Sequence, residues 1–116
     1  IGMELCRFGY GLPSCRVWRY WDADPPIRTA GAACKTLTLG RDGRAMVVVC
    51  SYGEAGEVTL ELDAKRLGLP AGAVATDIES GKAIQRLDPD AQGALRFRLH
   101  LPRHDLRVIR VGAGPR

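Results

Sequence analysis

The sequence predicts an all-β fold, an antiparallel β-sandwich of about seven or eight short strands, and three observations carry that prediction. Ala45 to Cys50 is a continuous apolar run, as in a central strand covered on both faces. Glu57 to Leu62 alternates strictly, with Val58, Leu60 and Leu62 on one side and Glu57, Thr59 and Glu61 on the other. That is the pattern of a strand with one wet face. Turn signals then recur at roughly 8–12-residue spacing along most of the chain.

Taken in order, Met3 to Asp24 differs from the rest, being rich in aromatics and glycine. Gly11-Leu12-Pro13 breaks it, and Cys15 to Trp21 reads as an extended apolar-aromatic stretch. Met3 to Tyr10 fits either a helical turn or a strand. Asp24-Pro25-Pro26 marks a linker or corner, because proline bars helix and lacks a backbone donor. Residues 1–26 are accordingly an N-terminal aromatic junction segment, 27–112 the sandwich and 113–116 a frayed tail.

Within the sandwich, Ala33 to Leu39 is a strand and Gly40-Arg41-Asp42-Gly43 a hairpin turn into Arg44 to Tyr52. Gly53-Glu54-Ala55-Gly56 leads into the alternating strand. Asp63 caps one helical turn, Ala64 to Leu67, which Gly68 closes and Pro70 bars from continuing. Leu67 and Leu69 would plug the end of the sandwich. Strands follow over Ala73 to Asp77 and Ala83 to Leu87, joined by a turn at Glu79 to Lys82. Past a polar loop at Asp88 to Gly93, Leu95, Phe97, Leu99 and Leu101 point one way and Arg96, Arg98 and His100 the other. In the last strand, Asp105 to Val111, the alternation slips between Val108 and Ile109, so either both faces are covered or a bulge re-aims the chain. Each inward Val, Leu or Phe contributes about 1.5–3 kcal/mol of burial.

Composition narrows the function classes. At 116 residues the chain can build one core without disulfides or metals. The net charge of +4 invites nucleic acid, but its arginines are scattered rather than clustered, so no nucleic-acid partner is expected. No apolar run approaches the roughly 20 residues that span a bilayer, so no membrane partner is expected either. Ile1 stands where an initiator Met would, which suggests a fragment or processed chain and leaves localisation unassigned. Cys6, Cys15, Cys34 and Cys50 form no C-x-x-C, so zinc has little support. Cys50 reads as a small hydrophobe ending the apolar strand; Cys6 and Cys15 could pair, or all four could be free thiols.

Several constellations fail as sites. The glycine pairs lie in hairpins or the tail rather than between strand and helix, so no phosphate loop and no cofactor is expected. His104 beside Asp105 reads as local hydrogen bonding, and Glu57 and Glu61 as members of cross-strand salt bridges. Asp77 and Glu79 read as turn formers, and Asp88 and Asp90 as a solvated loop rather than a calcium site. No catalytic residue and no metal ligand is assigned. What stands out is Trp18, Tyr20 and Trp21, with Phe8 and Tyr10 nearby. Rings on a sandwich can stack on sugar faces, or can bury against the sheet or a neighbouring domain; the second reading is preferred. Alternation would put Trp18 and Tyr20 on one side and Trp21 on the other.

Four stretches, FGYGLPSCRVWRYW, AMVVVCSYGEAGEVTLELDAKRLGLP, ATDIESGKAI and LRFRLHLPRHDLRVIRV, follow one another in a characteristic order. Together they resemble the C-terminal β-sandwich of glycoside hydrolase family 123-like (β/α)-barrel enzymes, an α-amylase C-terminal-domain-like fold. The resemblance implies a non-catalytic domain that packs on and stabilises the catalytic barrel of the same parent chain, with Trp18 to Trp21 at or near the seam. In that family the barrel holds neighbouring Asp and Glu carboxylates that assist attack by the sugar's own N-acetyl group. No adjacent Asp-Glu pair occurs here, so none of those residues carries over. The competing expectation is an independent carbohydrate-binding module that stacks sugars on Trp18, Tyr20 or Trp21.

Overall fold

Two antiparallel sheets face one another in the computed structural model, which describes residues 2–113. The elements are α1 (Gly2–Phe8), β1 (Arg16–Arg19), β2 (Ile27–Gly31), β3 (Cys34–Arg41), β4 (Arg44–Ser51), β5 (Gly56–Leu62), α2 (Ala64–Leu67), β6 (Val74–Asp77), β7 (Gln85–Leu87), β8 (Leu95–Leu101) and β9 (Leu106–Gly112). One sheet has five strands in the order β1-β3-β4-β9-β6, the other four in the order β2-β5-β8-β7. The all-β sandwich stands, with nine strands among the described residues. The added strand is β2, an edge strand in which only Ile27 is buried.

Alternation places the core. Val58, Leu60 and Leu62 of β5 and Leu95, Phe97, Leu99 and Leu101 of β8 are all buried. They meet Ala45, Val47 and Val49 of β4 and Ile109 and Val111 of β9 in one cluster. On the outside of the four-stranded sheet the register sets Glu61 between Arg28 and Arg96, and Glu57 beside His100. The Glu57 carboxylate and His100 Nδ1 are 3.7 Å apart, both exposed, so this face is wet.

The five-stranded sheet is covered on both sides. Met46 and Val48 of β4 face away from the core yet are buried. Over Met46 lie Phe8 and Leu5 of α1 and Cys15 and Val17. Val108 joins this outer layer while Ile109 joins the inner one, and β9 keeps an unbroken register with β4. Both faces are covered at the slip, and no bulge is needed. Residues 2–8 are thus helical, although a helix this short gains little by itself and depends on its docking. It ends where Gly9 takes φ +118°, and the Tyr10 N–H donates to the Leu5 carbonyl over 2.9 Å. Arg41 Nη1 donates to the Phe8 carbonyl over 3.1 Å, and the Arg44 guanidinium lies 5.3 Å from the centre of the Phe8 ring.

The β3–β4 hairpin turns at Asp42 and Gly43, both with positive φ (52° and 72°), as a two-residue turn of matching twist requires. Gly40 belongs to β3 instead, and a side chain there would press on Leu67 and Trp18. α2 is capped as expected: Asp63 accepts from the Arg66 N–H, and Gly68 closes the turn at φ 69°. Leu67 and Leu69 are buried in the core. Where Ala83 to Leu87 was expected as strand, β7 pairs only over Gln85–Leu87, and Ala83 makes a single bridge to Thr76.

The four cysteines are free. Cys50 is exposed, contrary to the expectation of a buried hydrophobe. It lies one residue before the end of β4, on the outer face, beside Lys35 and Leu106, away from the cluster beneath α1. Burial pushes the thiols of Cys34 and Cys15 up from their ordinary value. Of the expected tail, residues 114–116 lie outside the described residues.

Candidate functional site: an exposed aromatic end of the five-stranded sheet

β1 is extended only as far as Arg19. There the Asp22 carboxylate accepts from the Arg19 N–H over 2.6 Å, and the Asp22 N–H donates back to the Arg19 carbonyl over 3.1 Å. This closure makes a turn with Tyr20 and Trp21 at its two central positions. The turn ends the strand alternation, so both rings emerge together. Their centroids are 4.9 Å apart and their planes 89° to one another, an edge-to-face pair.

Trp18 parts from them. It pairs with Thr38 on the inner side of β3 and packs, half-buried, against the core, with the Arg16 guanidinium 5.1 Å from its ring centre. Tyr20 and Trp21 are 50% and 66% exposed, and a third ring, Tyr52 at 56%, joins them from the connection after β4. Lys35 joins two of the three, its ammonium 4.7 Å from the centre of Tyr20 and 5.2 Å from that of Tyr52. The Arg19 guanidinium stands 5.8 Å from Trp21. Phe8 of α1 is buried against Leu39 and Met46, and Tyr10 is exposed near the helix end.

The result is an aromatic surface edged with cations, at the end of the sheet whose outer face α1 covers elsewhere. It can pack against an apolar partner or stack on the C–H face of a pyranose. Sequence pattern does not supply Tyr52 or Lys35. Each is an isolated residue until the β3–β4 register sets Lys35 opposite Cys50 and brings the two segments together.

The remaining candidates fall elsewhere. His104 sits in the β8–β9 turn at φ 50°, while Asp105 accepts from the Leu106 N–H over 2.8 Å and faces Arg107 at 3.5 Å. Asp90 accepts from the Gln92 and Ala94 N–H groups, each over 2.9 Å, and the Ala94 bond above all holds its pKa below the ordinary value. Asp77 forms its turn through bonds from the Glu79 and Ser80 N–H groups and faces Arg107 Nε at 3.5 Å. Among the described residues, no three His, Cys, Asp or Glu side chains gather as metal ligands, and no helix is long and apolar enough to cross a membrane.

The fold and this surface define an antiparallel β-sandwich with one solvent-open aromatic end. Compared with protein-family models, curated proteins and solved structures, the chain matches none.

Proposed function

We propose that this chain is a non-catalytic accessory β-sandwich of a larger glycoside hydrolase, packing on that enzyme's catalytic (β/α)-barrel through Tyr20, Trp21 and Tyr52. The observation that carries the reading is the shared exposure of these three rings at one end of a sheet face that α1 covers around Met46. An aromatic area of this kind is costly to leave in water and is suited to a seam. The link to a glycoside hydrolase rests on the resemblance of the four ordered stretches, which puts the aromatic-Trp pair at the junction with the barrel.

The test is made in the parent polypeptide. Trp21→Ala and Tyr52→Ala should lower the melting temperature of the barrel by several degrees, and hydrolysis should be lost only through that instability. A parent reading frame without a barrel, or a barrel indifferent to both substitutions, would sink the reading.

A second reading is favoured by one observation: Trp21, the most exposed of the three rings, is free of Lys35, which attends the two tyrosines. On that reading the chain is a carbohydrate-binding module with Trp21 as its platform. Affinity electrophoresis of the isolated chain separates the two, because micromolar retardation by a polysaccharide that vanishes in Trp21→Ala belongs to the module alone.

A further inference from the structure

A different surface, independent of the aromatic end, carries its own unmatched chemistry. β8 runs on past β7: Gln85–Leu87 pair with Arg98–Arg96, so Leu99–Leu101 have a strand neighbour only on the β5 side. Beside this open edge the 80–85 segment crosses from one sheet to the other and borders an open cleft of about 260 Å³. Lys82, Arg98, His100 and Arg107 line it with a single carboxylate, Asp77.

Most of those charges are already engaged. Arg107 faces Asp77 and Asp105, each at 3.5 Å. Asp77 accepts in addition from two backbone N–H groups of its own turn. His100 faces Glu57. Lys82 and Arg98 remain, and among the described residues neither side chain has an ion-pair or hydrogen-bond partner. Two uncompensated cations bordering one cleft are what an anion would neutralise, and a guanidinium presents its donors as a fork that matches an oxyanion.

The cleft does not end at Arg98. Across Arg98 and Gln85 it adjoins a hollow of about 560 Å³ on the wet face, where the short Ala30 side chain leaves room beside Glu57 and Thr59. The small residue at 30 makes space and the polar ones offer hydrogen bonds, as a hydroxyl-rich body would need.

We propose that Arg98 and Lys82 bind the oxyanion group, carboxylate, sulfate or phosphate, of a polar small molecule whose hydroxylated body lies over the Ala30–Thr59 hollow. Arg98 grips the group through its fork, Lys82 adds a point charge, and Gln85 stands where cleft and hollow meet.

The experiment is an amide-shift titration of the whole chain with sodium glucuronate, sodium sulfate and glucose at low ionic strength. Glucuronate should give saturable shifts centred on residues 82–85 and 98–100, weakened by added sodium chloride, while glucose gives none. Arg98→Gln should weaken glucuronate at least tenfold and Lys82→Gln about threefold. Arg28→Gln, on the same face at the edge strand, should stay within twofold. All three variants alter exposed side chains, and a native amide spectrum confirms that each folds. Sulfate saturating the same amides would identify the bare oxyanion as sufficient, and glucuronate alone would show that the sugar body contributes; both support the site. Shifts centred elsewhere, no saturation, or an Arg98→Gln chain that binds as the parent does would overturn it.

Discussion

The Lys35 ammonium lies 4.7 Å from the centre of the Tyr20 ring, tying the outer face of β3 to the turn that follows β1. Tyr52 takes the same ammonium at 5.2 Å, so a single cation orders two rings from segments far apart in the chain. Such contacts at exposed sites contribute about 0.5–1 kcal/mol each. Lys35→Met keeps the aliphatic stem and removes the charge. It should lower unfolding free energy by about 1 kcal/mol in denaturant titrations, and Lys35→Arg should restore most of it. Equal stability of all three chains would mean that the rings are held by something else.

The two tryptophans should respond to truncation in opposite ways. Trp18 packs against the core on the inner side of β3, whereas Trp21 is 66% exposed at a turn. Trp18→Ala should cost about 2–3 kcal/mol, below the range for a fully enclosed ring because Trp18 is only half-buried. Trp21→Ala should change stability of the isolated chain by no more than about 0.5 kcal/mol, as surface substitutions do. Urea unfolding of each variant, followed by the remaining tryptophan's fluorescence, checks both. A large loss in Trp21→Ala would make that ring structural and remove it from any partner surface.

These two residues also show how far the pattern of apolar positions reaches. β5 and β8 were legible because each has one buried and one wet face, and period-two alternation records that difference directly. The continuous run of β4 announced a cover on both sides, but not its source. The cover comes from α1 and the Cys15 region, whose glycines and aromatics show no period of either kind. β2 escaped notice because four of its five residues are exposed, and Pro25-Pro26 before it reads as a linker. At the candidate site, Tyr20 and Trp21 could be named, but their common side was hidden by one side-chain bond from Asp22 that ends the strand. Lys35 and Tyr52 needed the register.

Thr38 offers a test of the core. It is fully buried on the inner side of β3, in register with Val47 and Trp18, and among the described residues its hydroxyl has no hydrogen-bond partner. A buried hydroxyl without a partner has lost its water and gained nothing in return, a penalty of about 1–3 kcal/mol. Thr38→Val retains the branched shape and β propensity while removing the polar atom. It should raise unfolding free energy by about 1 kcal/mol, read from the denaturation midpoint at unchanged slope. A loss of stability instead would show that the hydroxyl finds an ordered water between the sheets.

The loop between β7 and β8 should open in acid before the sandwich does. Asp90 accepts from the Ala94 and Gln92 N–H groups, and the Ala94 bond is the main cause holding its pKa below the ordinary 3.8. A carboxylate whose folded pKa is depressed favours the folded loop fully above the ordinary value, and the contribution is lost as pH falls through the lowered one. Amide exchange at Gln92 and Ala94, corrected for intrinsic rates, should therefore be slow and steady above about pH 5 and accelerate below pH 4. Val58 and Leu60, buried in the paired β5, should stay protected over the same range. Asp90→Asn keeps an oxygen that can accept but no titrating charge, so its exchange at Gln92 and Ala94 should lose the pH dependence. Protection that fades together at Ala94 and Leu60 would trace the acid response to the whole sandwich rather than to this turn.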